Sequence, residues 1–143
     1  MAGEARVIAA NQAHQSVWII STEELGEGNV LANYDLKKKE WIKDPFQPRG
    51  AVFQQQGNYL AVDWHGNPAF IDRQKVLHWR KTGHWIKFEG CASCVAFDTK
   101  GALFKCDCND NNNVYKYSEK KRTWKQVDQD NRKIYGLAVT ETG

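Results

Sequence analysis

Four cysteines in two closely spaced pairs are the residues of this sequence whose spacing most resembles that of a metal site. They form Cys91-x-x-Cys94 and Cys106-x-Cys108. Paired thiolates at such spacing are common ligands of a structural zinc ion. A hairpin that turns at 98–101 places Cys91 opposite Cys108 and puts Cys94 on the other face, because side chains alternate along a strand. A zinc site built from all four cysteines therefore needs a β-bulge.

Two alternatives to zinc stay open for these cysteines. A Cys91–Cys108 disulfide fits the hairpin, and buried free thiols are the simplest interpretation of cysteine in an apolar strand. The chain starts Met-Ala-Gly-Glu-Ala-Arg, without a basic segment followed by an apolar stretch. We therefore expect no secretory signal and a reducing, cytoplasmic compartment, which favours free thiols. We expect no cofactor.

Tryptophan and histidine residues form a second candidate site. An exposed indole can stack on a sugar ring or on a partner's side chain. Trp64-His65, His78-Trp79 and His84-Trp85 are adjacent pairs. A Cys–His nucleophile would need a convergence in space that the sequence does not indicate, so we expect no enzymatic activity. The ligand-binding residues proposed from the sequence are Trp64, His65, Trp79 and His84.

Composition predicts one all-β domain over residues 1–143. Short apolar segments alternate with Gly, Asn, Asp and Lys, and no long stretch has helical periodicity. The net charge of +3 is too small to indicate a nucleic-acid partner. The sequence contains no apolar segment of the length needed to span a membrane.

An internal repeat sets the architecture. Three similar heptapeptides, each an apolar strand end, three polar residues and a glycine, end at Gly57, Gly101 and Gly143. The spacing of about 40 residues is that of a four-stranded propeller blade. We predict strands near 50–55, 58–64, 69–79 and 84–89 in the second repeat, and near 93–98, 102–107, 113–118 and 122–127 in the third. The repeats are placed at about 6–44, 50–89 and 93–127, with a partial copy at 133–143.

Three blades are too few for an ordinary closed propeller, which has four to eight. Each chain is therefore predicted to form half of a propeller, and two chains would close a six-bladed ring as a homodimer. The first strand of the first blade comes either from residues 6–10 or from an exchanged C-terminal strand.

One stretch resembles the tectonin-type β-propeller repeat. It is Asn113-Val-Tyr-Lys-Tyr117, a charged turn, and then Trp124-Lys-Gln-Val127. Residues 31–41 carry a similar Tyr34-(six residues)-Trp41 pattern, whereas residues 66–85 match poorly. The resemblance implies a non-catalytic binding protein, either a lectin or a scaffolding domain, and it transfers no ligand-binding residue.

Charge is predicted to differ between the two faces of the blades. The turns between the third and fourth strands are basic, and the second-to-third and fourth-to-first connections are acidic. Trp64 is placed in a second-to-third connection, on the acidic face. The basic face consists of Lys37, Lys38, Lys39, Arg80, Lys81, Lys120, Lys121 and Arg122.

Two functions fit these features. The first is lectin-like glycan binding at shallow sites between blades, which predicts an aromatic and polar pocket in each blade. The alternative is an intracellular protein–protein scaffold or complex subunit that docks through its charged faces, which predicts one unique patch.

Overall fold

The computed structural model describes residues 5–11, 16–24, 29–44 and 60–127, which form strands and turns. None of the described segments is a helix long and apolar enough to cross a membrane. The strands are β1 (Ala5–Asn11), β2 (Ser16–Glu24), β3 (Asn29–Asp35), β4 (Glu40–Lys43), β5 (Leu60–Val62), β6 (Pro68–Ile71), β7 (Leu77–Lys81), β8 (His84–Lys87), β9 (Ala92–Phe97), β10 (Leu103–Asp107), β11 (Asn113–Ser118) and β12 (Thr123–Gln126).

These strands form three antiparallel sheets of four strands each. Sheet 1 contains β1 to β4, sheet 2 contains β5 to β8 and sheet 3 contains β9 to β12, in chain order within each sheet. Consecutive strands pair as neighbours, as they do in a propeller blade. The predicted all-β fold of three four-stranded blade-like units is confirmed.

Strand positions agree closely with the prediction in sheet 3 and differ in sheet 2. The sequence predicts one strand near 69–79, but β6 and β7 are separate strands joined by a turn at 72–76. The turn contains no glycine or proline; Asp72 Oδ1 accepts the backbone N–H groups of Gln74 and Val76 instead, at 2.9 and 3.0 Å. β5 therefore takes the place of the first strand, and the strand predicted near 50–55 lies outside the described residues.

The first strand of sheet 1 comes from the N-terminal segment of the same chain. β1 pairs with β2, with Ala9 opposite Trp18. Sheet 1 is thus complete without an exchanged strand. The partial repeat predicted at 133–143 lies outside the described residues.

The repeated tyrosine and tryptophan form cross-strand pairs. Tyr34 lies opposite Trp41 in sheet 1 and Tyr117 lies opposite Trp124 in sheet 3, each pair with ring centroids 5.0 Å apart. Aromatic pairs at this distance stabilise adjacent strands. The sequence similarity between the first and third repeats therefore corresponds to one shared contact.

Sheet 2 has an arginine at the equivalent position, and this arginine joins two sheets. Arg80 lies opposite Trp85, donates a hydrogen bond of 3.0 Å to Asp44 beyond the end of β4, and lies 5.9 Å from the centre of the Trp18 ring. Its side chain is only 18% exposed. The sequence assigns Arg80 to the basic face; in the structure its charge is used in the contact between sheets 1 and 2.

Apolar side chains fill the two seams between neighbouring sheets. Burial on both faces of sheet 2 explains why the four residues of β6 are all buried. The seam between sheets 1 and 2 holds Trp18, Ile20, Leu31, Leu60, Val62 and Phe70. The seam between sheets 2 and 3 holds Ala69, Ile71, Leu77, Trp79, Phe88, Ala92, Val95 and Leu103.

An aspartate at the end of a strand organises several turns in the same way. Asp63 Oδ1 accepts the N–H groups of His65 and Asn67, each at 2.8 Å. Asp98 Oδ1 accepts those of Lys100 and Ala102, at 2.9 and 2.8 Å. A carboxylate that accepts backbone N–H groups two and four residues later stabilises a tight turn.

The cysteines form two disulfides across the β9–β10 hairpin, Cys94–Cys106 and Cys91–Cys108. Cys94 pairs directly with Cys106, so the prediction that Cys94 lies on the other face is wrong. The hairpin register is shifted by one residue near its turn, and a bulge between Cys106 and Asp107 restores the predicted register at Cys91 and Cys108. With all four sulfur atoms in disulfides, the structure supports neither the zinc site nor the free thiols.

We predict that Asp63→Asn destabilises the fold more than Asp98→Asn does. Asparagine keeps one oxygen acceptor for the turn, but its amide N–H₂ would face the Trp79 N–H, which Asp63 Oδ2 accepts at 3.0 Å. Loss of this buried hydrogen bond costs about 1–3 kcal/mol. Urea unfolding measures both variants. Equal midpoints for the two variants would contradict the role assigned to Asp63.

We predict that a thiol-alkylating reagent adds no group to protein that has been purified without reductant and then denatured. After reduction, all four cysteines should be alkylated. Intact-mass spectrometry counts the added groups. Four reactive thiols before reduction, or a bound zinc ion, would contradict the two disulfides.

Candidate functional site

An open pocket lies at the end of the seam between sheets 2 and 3. It encloses about 500 Å³, including space open to solvent. The turn between β5 and β6, the end of β7, and the β9–β10 and β11–β12 turns form its walls. The lining residues are Asp63, Trp64, His65, Trp79, Lys81, Lys100, Gly101 and Glu119.

All these turns emerge on one face of the stacked sheets. In an antiparallel sheet of four consecutive strands, the first and third turns lie at the same end. Contacts between neighbouring sheets align these ends, since Gly66 O accepts a hydrogen bond of 3.1 Å from Ser16 Oγ at the start of β2. We call this surface the turn face.

Trp64 lies on the turn face, together with the lysine-rich turns, and not on the opposite face as predicted. The sequence predicts that 58–64 is the second strand of its blade, whereas β5 is the first described strand of sheet 2. The turn after β5, which carries Trp64, therefore lies at the opposite end of the sheet from the one predicted. Two predicted features, the exposed tryptophan and the basic turns, therefore belong to the same surface.

Trp79 forms the floor of the pocket and is held in place by Asp63. The indole is 2% exposed, and its Nε1–H donates to Asp63 Oδ2 at 3.0 Å. The other oxygen of Asp63 closes the turn that carries Trp64. One carboxylate thus fixes both the floor and the wall of the pocket.

A lysine and a glutamate cross the seam above this floor. Lys81 Nζ lies 4.8 Å from the centre of the Trp79 ring and forms an ion pair with Glu119 in the β11–β12 turn. A cation over an indole face is attracted by the ring quadrupole. These contacts orient the Lys81 side chain along one side of the pocket.

Trp64 forms the exposed wall, with 48% of its surface accessible. Its Cβ packs close to the backbone of Gly101 on sheet 3: a Cβ added at Gly101 would lie 3.5 Å from it. Gly101 has φ of +85°, a conformation that other residues rarely adopt. The glycine turn of sheet 3 therefore supports a large apolar surface that faces solvent.

The structure brings together three of the four proposed ligand-binding residues, Trp64, His65 and Trp79. His84 does not line the pocket; it is exposed at the start of β8, opposite Lys81. No binding role was predicted for Lys100, Gly101 and Glu119. The sequence places all three in turns, but only the packing of sheet 3 against sheet 2 brings these turns to the pocket.

The remaining residues of the predicted basic face occupy two turns. They are exposed and lie in the β3–β4 and β11–β12 turns: Lys37, Lys38, Lys39, Lys120, Lys121 and Arg122. The opposite face is less acidic than predicted in sheet 2, because the unexpected turn at 72–76 carries Arg73 and Lys75. In the part of the chain that the structure describes, no cluster of three metal-binding side chains occurs.

In the described part of the seam between sheets 1 and 2, a tryptophan has a different environment. Trp18 is 6% exposed there, and its Nε1–H donates to Gly66 O at 2.9 Å. Arg80 packs against the same ring. The turn between β1 and β2, which corresponds to the turn that carries Trp64, lies outside the described residues, so the prediction of a pocket in each blade stays a prediction for this seam.

A titratable pair occupies the end of sheet 3 away from the pocket. Tyr115 Oη donates a hydrogen bond of 2.5 Å to Asp110 Oδ2 in the β10–β11 turn, and Asn113 Nδ2 donates to the same oxygen at 3.2 Å. The hydrogen bond to the Asp110 carboxylate raises the pKa of Tyr115 above its usual value of 10.0. The Asp110 carboxylate therefore links the β10–β11 turn to β11 by accepting these two hydrogen bonds.

Comparisons with known proteins support the fold. No family model matches the sequence, and no curated protein matches it. A Bacteroides thetaiotaomicron protein of unknown function superposes with a TM-score of 0.58 at 10% identity, over 84% of this chain and 34% of its own. PorZ, a surface component of the type-IX secretion system of Porphyromonas gingivalis, superposes with a TM-score of 0.61 at 16% identity, over 88% of this chain and 20% of its own.

The chain thus spans about a third and a fifth of these two structures. A fucose lectin from Kordia zhangzhouensis, solved with methyl-fucoside, has a TM-score of 0.47 at 10% identity, over 86% of this chain and 97% of its own. That score is too low to support an argument about binding. At these identities, the similarity establishes a shared fold for the first two structures and no shared ligand.

Proposed function

We propose that this chain is a non-catalytic recognition module that binds a carbohydrate at the Trp64 pocket. The half-exposed indole of Trp64, beside polar side chains from three turns, is the observation that carries the proposal. The apolar face of a sugar ring packs well on an indole, and its hydroxyl groups need hydrogen-bond partners around the rim. His65, Lys81 and Glu119 supply such partners.

The pocket is also largely preformed, which favours binding. Asp63 and Trp79 are buried and hydrogen-bonded to each other, so the floor is ordered before a ligand arrives. A rigid site loses less conformational entropy on binding. The open shape of the pocket favours a weak site for a terminal sugar.

The tectonin-type resemblance and the homodimer belong to the same proposal. Two half-propellers would give two Trp64 pockets in one particle, and paired weak sites bind a surface of repeated sugars more tightly. Light scattering that gives the mass of two chains would support this arrangement, and a monomer at all concentrations would contradict it.

The disulfides bear on location. Disulfide bonds persist in oxidising compartments and are rare in the reducing cytosol. We therefore place this module in an oxidising compartment, where glycans are abundant, in preference to the cytoplasmic location expected from the sequence.

A protein partner is the second candidate ligand. The observation that favours it is that the half-exposed Trp64 shares the turn face with the exposed Arg122. Tryptophan and arginine are enriched in protein-binding hot spots. A scaffold of this kind would dock on the same turn face.

We predict that Trp64→Ala lowers glycan affinity about tenfold, because the stacking surface is lost. A glycan array identifies the bound sugars, and biolayer interferometry measures the affinity for the strongest. Leu36→Ala is the matched control, since Leu36 is an exposed apolar residue in the β3–β4 turn of the same face.

Trp64→Phe should retain part of the affinity because it keeps an aromatic face. Thermal unfolding should be unchanged in all three variants. If no glycan binds, or if binding persists in Trp64→Ala, the carbohydrate proposal is wrong and a protein partner becomes the better account.

A further inference from the structure

We propose that the sugar bound at the Trp64 pocket is acidic, with its carboxylate or sulfate group held by Lys100. This inference rests on the proposed carbohydrate function and adds the chemical class of the ligand. Of the charged groups that line the pocket, some already interact with other groups of the protein.

The carboxylate of Asp63 is occupied by the fold. Its Oδ1 accepts two backbone N–H groups and its Oδ2 accepts the Trp79 indole N–H. Asp63 is also 2% exposed. Its charge is thus balanced by donors inside the protein, and it has little contact with a ligand in the pocket.

Lys81 and Glu119 neutralise each other across the seam. Their side chains form an ion pair, and the Lys81 ammonium also lies over the Trp79 ring. Glu119 therefore presents less net negative charge to a ligand than an isolated glutamate would. This pair closes one side of the pocket without setting the sign of the ligand.

Lys100 is the pocket cation whose charge is not used. Its backbone N–H is fixed by Asp98 at 2.9 Å, but within residues 60–127 its ammonium forms no ion pair. Lys100 directly precedes Gly101, whose backbone packs against Trp64. Lys100 also lines the pocket itself, so an acidic substituent of a sugar stacked on Trp64 would lie within reach of its side chain.

The neighbouring β11–β12 turn adds positive potential around the same rim. Lys120, Lys121 and Arg122 are all exposed and follow Glu119 directly. Clustered charges of one sign attract oppositely charged ligands and raise the association rate. A neutral sugar would gain nothing from this arrangement, whereas an anionic sugar gains both attraction and a specific partner.

The test is an array of immobilised glycans that carry a carboxylate, a sulfate or neither group. Wild type, Lys100→Gln and the matched control Lys125→Gln are compared; Lys125 is exposed on β12, and its substitution removes the same charge. We expect wild type and Lys125→Gln to bind acidic glycans. Lys100→Gln should weaken that binding about fivefold, the size expected for one exposed ion pair.

Lys100→Gln should leave any binding of neutral glycans unchanged, and added salt should weaken the acidic glycans selectively. The carboxylate and sulfate arms identify which group Lys100 accepts. Trp64-dependent binding of neutral glycans alone, or acidic binding that Lys100→Gln does not alter, would overturn this inference while the carbohydrate function stands. Absence of Trp64-dependent binding to every glycan would overturn both.

Discussion

The buried carboxylate of Asp63 is the group on which the candidate site depends. One oxygen holds the turn that carries Trp64, and the other accepts the Trp79 indole N–H from β7. A buried charge is costly unless hydrogen bonds compensate for its lost hydration. Here three donors do so, and they come from the two parts of sheet 2 that form the wall and the floor of the pocket. The same interaction therefore stabilises the fold and orders the site.

The two described seams use tryptophan in opposite ways. Between sheets 1 and 2, Trp18 is covered by Arg80 and hydrogen-bonded to Gly66, so this indole is buried. Between sheets 2 and 3, Trp79 is buried but Trp64 stays half exposed against the backbone of Gly101. Arg80, which stands where the other two repeats have tyrosine, thus packs against a buried Trp18. The irregular second repeat is the unit that makes the two seams different.

Much of the architecture could be predicted from the sequence because each repeat contains local signals. The Tyr34–Trp41 and Tyr117–Trp124 pairs set the register of the third and fourth strands, and the glycine turn at Gly101 marks the β9–β10 hairpin. The turn at 72–76 was not predicted because it contains no glycine or proline; the Asp72 carboxylate organises it together with backbone hydrogen bonds. That single error moved Trp64 to the wrong face. The Cys91–Cys108 disulfide was one of the alternatives that the hairpin allowed, but the Cys94–Cys106 disulfide depends on a one-residue register shift and a bulge, which alternation along a strand cannot reveal.

The site itself was only partly predictable. Trp64 and His65 were identifiable as residues of an exposed turn, but Lys100, Gly101 and Glu119 come from a neighbouring sheet. Their proximity follows from how the sheets stack, and no short sequence spacing encodes it. The sequence identifies residue types that can bind a ligand, but the packing of sheet 2 against sheet 3 determines which of these residues lie close together.

The most direct measurement is a nuclear magnetic resonance titration of the tryptophan indole N–H signals with a glycan selected by the array. The chain has six tryptophans, so six indole signals report on both described seams and on the rest of the chain. Our account predicts saturable shifts of the Trp64 indole and the Gly101 amide, with the Trp18 indole unmoved. Saturable shifts at Trp18 or in sheet 1, with Trp64 unaffected, would show that the ligand binds elsewhere and would contradict the account.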